Sequence, residues 1–123
     1  MNKSKAKGTR AETRVVKYLT ALGLHAERRA LSGNQDNGDI KVVLNNTEIT
    51  IEVKAGKQTE NPSRSQIEEW LRQTRVEAIN ASCSGALVVV RYRRSLDDAE
   101  VYIPKDNDVI FCYLDEFASK LAG

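Results

Sequence analysis

Histidine is almost missing from this chain: His25 stands alone among 123 residues. A Ser-His-Asp or Cys-His enzyme, or a histidine-rich zinc site, would have to be assembled around that one side chain, and His25 reads as a surface residue instead. Cysteine is scarce too. Cys83 and Cys112 lie far apart and in no metal-ligand spacing, so they read as reduced, partly buried thiols of a cytoplasmic protein rather than as a disulfide. No apolar run approaches the roughly 20 residues that a membrane span requires. The basic start MNKSKAKGTR leads into an amphipathic segment with no apolar stretch or small-residue cleavage site, which argues against a secretory leader. Charge of one sign is not in large excess either. With 19 Lys and Arg against 17 Asp and Glu, the net charge is +2, so the overall field does not announce a nucleic-acid binder.

What is present suits one soluble α/β domain: 41% hydrophobic and 29% charged residues, enough to bury a modest core without staples. The expected organisation is a single domain over residues 1–123 with a basic N-terminal arm at about 1–8. The cations are clustered. Lys3, Lys5, Lys7 and Arg10 have no acid among them, Arg28 and Arg29 are adjacent, and Arg91, Arg93 and Arg94 sit together. Such clusters suit phosphate contacts. They equally suit a solubilising arm and solvated faces, and the clusters alone do not choose.

Periodicity predicts a helix from about Thr9 to Leu22, with Val15, Val16, Leu19 and Leu22 at helical spacing and Gly23 as its stop. Leu24 to Ala30 fits a short strand, and Ser32 to Gly38 (SGNQDNG) is loop-forming. IKVVL from Ile40 and EITIEV from Glu48 read as two strands joined by an Asn45-Asn46 turn. A polar loop follows, then a helix opening at Ser65 through a capping box with Glu68 and running to about Ala81. The apolar run from Gly85 to Tyr92 predicts a central strand covered on both faces. Val101 to Ile103 and Val109 to Tyr113 are further strands, and Leu114 to Leu121 is a closing helix. The fold class expected is a mixed sheet flanked by helices.

The hairpin places the chemistry. A turn on Asn45-Asn46 sets Leu44 opposite Thr47, Val42 opposite Ile49 and Ile40 opposite Ile51, which makes one face apolar. The same register sets Asp39 opposite Glu52 on the other face, with Lys54 pointing the same way two residues on. Like charges so placed destabilise a strand pair by roughly 0.2–1 kcal/mol unless something intervenes. A divalent cation would reverse that sign, because hard cations take carboxylate oxygens. The alternative is a pair of carboxylates in open solvent at the mouth of the hairpin, where repulsion is screened. The lysine tips the balance, since a carboxylate pair with a nearby ammonium is a catalytic set for a phosphate ester. Glu12 precedes Val15, Val16 and Leu19 by helical intervals, so it lies on the apolar stripe of the first helix and needs a partner there. A simple first-turn preference for acids explains that position equally well.

Asp39 followed by Glu52-Val53-Lys54 resembles the signature of the PD-(D/E)XK nucleases. The flanks sharpen the likeness: Lys7-Gly8, Glu12, Val15-Val16, Leu19, Gly23-Leu24, Arg28, Ser32-Gly33 and Lys57 together resemble the archaeal Holliday junction resolvase family. The likeness is good from Lys7 to Lys57 and weaker through Gln66 and Ala86 to Val90. It implies a restriction-endonuclease-like core and a homodimer that uses magnesium, with manganese a workable substitute, to cut four-way DNA junctions. It also implies Glu12, Asp39, Glu52 and Lys54 as the catalytic set. The metal ligands implied are Asp39, Glu52, Glu12 and the Val53 carbonyl. Arg28, Ser32, Lys57 and Gln66 would meet the DNA, beside Lys3, Lys5, Lys7 and Arg10 of the basic start. Two departures stand out: Gly38 replaces the motif proline, and the loop from Ser32 to Asp39 is short.

The remaining conspicuous residues read more plainly. Asp36 and Asp98 are loop solubilisers. Ile67, Trp70 and Leu71 continue a helical stripe, and with Ile110, Phe111 and Phe117 they serve either as core or as the dimer patch. The functional expectation is a structure-selective DNA endonuclease with no membrane role. A PD-(D/E)XK nuclease of restriction, repair or phage DNA processing is the second reading, and a non-catalytic DNA-binding module is the third.

Overall fold

α1 (Lys3–Ala21) begins well before the expected start, because Lys3, Lys5, Ala6 and Lys7 are good helix formers that extend it. The computed structural model describes residues 3–29 and 38–123, with side chains from Arg10 onward. The side chains of Lys3, Lys5 and Lys7, and the whole of Ser32 and Asp36, lie outside the described residues. Gly23 ends α1 as expected. At φ +88° it lets its own N–H reach Thr20 O and the Leu24 N–H reach Leu19 O, the paired bonds of a Schellman stop.

β1 (His25–Arg28) is followed by the hairpin β2 (Ile40–Leu44) and β3 (Thr47–Lys54). Asn45 and Asn46 both take positive φ, 49° and 66°, as a two-residue turn matching the strand twist requires. The register pairs Ile40 with Ile51, Val42 with Ile49 and Leu44 with Thr47, as the alternation dictates. After a short 3-10 turn at Lys57–Thr59 come α2 (Arg64–Ala81), β4 (Ser84–Val89), β5 (Glu100–Lys105), β6 (Asp108–Tyr113) and α3 (Leu114–Ala122). The start of α2 corrects the expected capping box. Ser63, not Ser65, is the cap, its Oγ accepting the Gln66 N–H.

Among the described residues six strands form one sheet in chain order, antiparallel throughout except for the β3–β4 pair, which the α2 crossover makes parallel. The apolar cluster on one face draws Ala11, Val15 and Leu19 from α1 and Leu114, Phe117 and Ala118 from α3. On the other face Trp70 of α2 packs with Leu87 and Val89. β4 therefore buries alternate side chains in both clusters, which explains its unbroken apolar run. Trp70 and Phe117 are core of the chain's own fold, which removes them from the candidate dimer patch. His25 is exposed, and Cys83 and Cys112 are free thiols. Among the described residues no helix is long and apolar enough to cross a membrane. Because β3 and β4 run parallel and β2 runs against them, the start of β2 and the ends of β3 and β4 share one end of the sheet.

Candidate active site

That shared end holds the polar residues. The Asp39 N–H donates to the Ile51 carbonyl although Ile51 pairs with Ile40, so two successive residues address one residue of β3, as in a β-bulge. The direct Asp39–Glu52 pairing expected from the register is modified accordingly: the ladder stops at Ile40, and the bulge re-aims Asp39. Its Oδ2 accepts the Val53 N–H at 2.9 Å. The two carboxyls still meet. Burial, and then the negative Glu52 beside it, push Asp39 up to about 8 against the downward pull of the Val53 N–H.

Glu52 is only 6% exposed. Burial first, and then the adjoining Glu77, push its carboxyl up to about 8, while Lys54 pulls the other way. Lys54 Nζ stands 3.5 Å from Glu52 Oε1, so the expected side-chain direction holds. Glu52 Oε2 is buried without a hydrogen-bond partner among the described residues. A buried carboxylate oxygen left without a donor is costly. Beside the half-buried Asp39 carboxylate, it is the feature a hard cation would satisfy.

Among the described residues no three His, Cys, Asp or Glu side chains gather into a metal cluster. The fit is therefore to an ion that takes Asp39 and Glu52 and fills its other positions with water, carbonyl and phosphate oxygens, as magnesium commonly does. Glu12 is close enough to add to the upward push on Asp39, though as its weakest cause. Its Oε1 accepts from Arg28 Nε at 3.2 Å. The stripe position of Glu12 thus finds a guanidinium partner, and two residues singled out from sequence hold each other at the margin of the site.

Gly38 departs from the motif proline for a visible reason. Its φ is +97°, which proline cannot adopt, and a Cβ added there would collide with the Thr50 hydroxyl. Restoring the proline by Gly38→Pro is expected to lower stability by more than about 2 kcal/mol, read from the urea midpoint, and to abolish the site with it. An unchanged midpoint would show that the segment before Asp39 adopts another conformation.

Other expected residues are less gathered. Gln66 is exposed on the first turn of α2, and no side-chain contact among the described residues ties it to Asp39 or Glu52. Lys57 is exposed in the 3-10 turn just beyond Lys54. Arg29 is not available to phosphate: it donates to Glu48 at 2.7 Å and to Thr50 Oγ1 at 3.1 Å. Arg91 is likewise committed, to Glu100 at 3.0 Å and to the Thr59 carbonyl at 3.2 Å.

Glu77, which sequence reasoning missed, is 1% exposed on the sheet-facing side of α2. The signal was available, for Glu77 lies seven residues after Trp70 on the same apolar stripe, the logic applied to Glu12.

A family model described as "Phage putative PDDEXK endonuclease" matches residues 3–121. A 1.6 Å structure of Hjc from Archaeoglobus fulgidus, a Holliday junction resolvase from an archaeal hyperthermophile, has the same fold. Its TM-score is 0.56 at 18% identity, over 94% of this chain and 100% of that one. No curated protein matches the sequence.

Proposed function

The chain belongs to the phage PDDEXK endonuclease family, and on that premise we propose that it is a magnesium-dependent DNA endonuclease, structure-selective for four-way junctions and active as a homodimer. One observation carries the catalytic part: the half-buried Asp39 carboxyl converges with the buried Glu52 carboxyl, whose Oε2 is unsatisfied among the described residues and whose Oε1 lies 3.5 Å from the Lys54 ammonium. Asp39 and Glu52 would hold the cation, with the Val53 carbonyl as the third protein ligand and Glu12 at the margin. Bound there, a divalent ion neutralises the scissile phosphate and lowers the pKa of water. The chain's own groups do the rest. Lys54 orients the attacking water or meets the charge building on the phosphate. The Val53 N–H fixes the Asp39 carboxylate, and Arg28 fixes Glu12.

The homodimer has its own support. β6 is an edge strand whose Val109, Ile110, Phe111 and Tyr113 are between 41% and 48% exposed. Unprotected apolar edges pair with other chains, and a two-fold contact there gives two sites for the two equivalent strands of a junction. The family's phage character favours a second reading, phage DNA processing on another branched or duplex substrate.

Purified protein incubated with magnesium and a panel of four-way junction, flap, nicked and plain duplex DNAs separates the readings. Paired symmetric cuts in the junction, by a species of dimer mass in light scattering, are the expected result. Equal cutting of plain duplex would remove junction selectivity. A strict monomer with and without DNA would remove symmetric resolution.

A further inference from the structure

Beyond the carboxylates, the same end of the sheet carries a cleft with the opposite charge. It is a cavity of about 330 Å³ between the first half of α1, the loop after β3 and the turn after β4. Arg10 and Arg14 form one wall and Arg91, Arg93 and Arg94 the other, with Ala55 and Gly56 at the floor and no carboxylate in the lining. Arg91 is offset by Glu100, and the four remaining guanidiniums around one cavity repel one another unless an anion enters.

Two features mark the cleft as built for a ligand and not as a chance crowding of exposed cations. First, the turn is pinned. The Val90 N–H donates to the Lys54 carbonyl, buried Thr59 donates to the Val90 carbonyl, and Arg91 clamps the Thr59 carbonyl and Glu100. The turn is thus tied to the residue that ends the catalytic strand. Second, the remaining guanidiniums are unspent. Arg10, Arg14 and Arg94 have no ion pair or side-chain hydrogen bond among the described residues, and Arg93, held at φ 60°, lies over the Tyr92 ring at 5.0 Å. Within the cleft Arg91 has Glu100, and outside it Arg28, Arg29, Arg64 and Arg72 all have carboxylate partners. Arg91, Tyr92 and Arg94 form the shared rim, and beyond them the surface turns acidic, with Asp97, Asp98, Asp115 and Glu116, which repels a polyanion and bounds the cleft.

We propose that this cleft is a phosphate-binding track for the DNA strand flanking the scissile bond, with Arg14 and Arg94 as its principal contacts and Arg10 and Arg93 beside them. The inference rests on the nuclease reading and names where that substrate's backbone leaves the site. Contacts of this kind position the strand without reading its sequence.

Binding of a fluorescent duplex in EDTA, titrated across salt, tests the track without depending on cleavage. The Arg14→Gln/Arg94→Gln variant is expected to lose about tenfold in affinity at moderate salt, with the log–log salt slope shallower by about 1.8, two contacts at about 0.9 each. Arg14→Lys/Arg94→Lys is expected to keep most of both, since charge and not shape is read. Neither position has a partner to lose, so thermal melting should not move. Affinity and slope unchanged in the Gln variant would overturn the track, as would a wild-type chain with no salt-dependent binding. If binding behaves as expected and magnesium supports no cutting, the nuclease reading fails while the track stands. If cutting is intact and the slope does not change, the reverse holds.

Discussion

Asp39→Asn and Glu52→Gln are each expected to slow single-turnover cleavage by about 10²–10³-fold or more, while DNA affinity holds or tightens. The choice of substitution keeps structure out of the result. An asparagine Oδ1 still accepts the Val53 N–H that fixes Asp39, so the bulge survives. A glutamine at position 52 removes one charge from a buried acidic neighbourhood, so the fold gains stability where it loses chemistry. Where the carboxyls are ionised, DNA binding tightens because a negative charge beside phosphates has gone. Lys54→Ala is expected to lose rate without the gain in affinity. If either carboxylate variant cut within about threefold of wild type, Asp39 and Glu52 would not be the centre.

The second large effect is a stability that depends on pH in opposite ways with and without metal. Asp39 and Glu52 have carboxyls raised from 3.8 and 4.5 to about 8 in the folded chain. A raised acid keeps its proton in the folded state while the unfolded chain has released it. The pair's contribution to stability in EDTA is therefore greatest below about pH 4, falls as pH rises toward 8 and levels off above, with at most about 1.4 kcal/mol per pH unit for each group. The two titrate as a coupled pair, so the melting curve reports the pair and not either residue. A divalent cation binds the ionised pair. Magnesium at about 100 times its dissociation constant would then add about 2.7 kcal/mol, an increment that grows with pH over the same window. Glu77→Gln should flatten the fall in EDTA, because Glu77 helps to push Glu52 up. Thermal melts from pH 5 to 9, with EDTA and with magnesium, measure both. A metal-free chain whose melting temperature rises through this window would contradict the raised Asp39–Glu52 pair.

Much of this architecture was legible in the residues, for physical reasons that differ by element. Alternation fixed the hairpin, since a slip of one position would have turned Ile40, Val42, Ile49 and Ile51 to the wrong face. The unbroken run from Ala86 to Val90 announced a strand with two covered faces. The bulge at Asp39 was hidden, because nothing in the period-2 pattern signals an extra residue until the ladder is seen to end. Ser63 and Ser65 both precede helical residues, and only the geometry shows which oxygen meets an N–H. The helix start was set too late because the lysine-rich opening has no apolar stripe to mark it. The arginine cleft joins α1 to a turn some eighty positions away, a pairing no local pattern encodes. Arg91 shows the converse: Arg93 and Arg94 look equally free in sequence, and of the three only Arg91 finds a carboxylate among the described residues.

The most direct test of the central claim is a calorimetric titration of manganese into the DNA-free chain at pH 8, set beside Glu52→Gln. The expected result is saturable binding to wild type with proton release, and its loss in the variant, since the ion must displace the protons that Asp39 and Glu52 hold. Equal binding by both proteins, or none by wild type even with DNA present, would contradict a metal centre built on this pair.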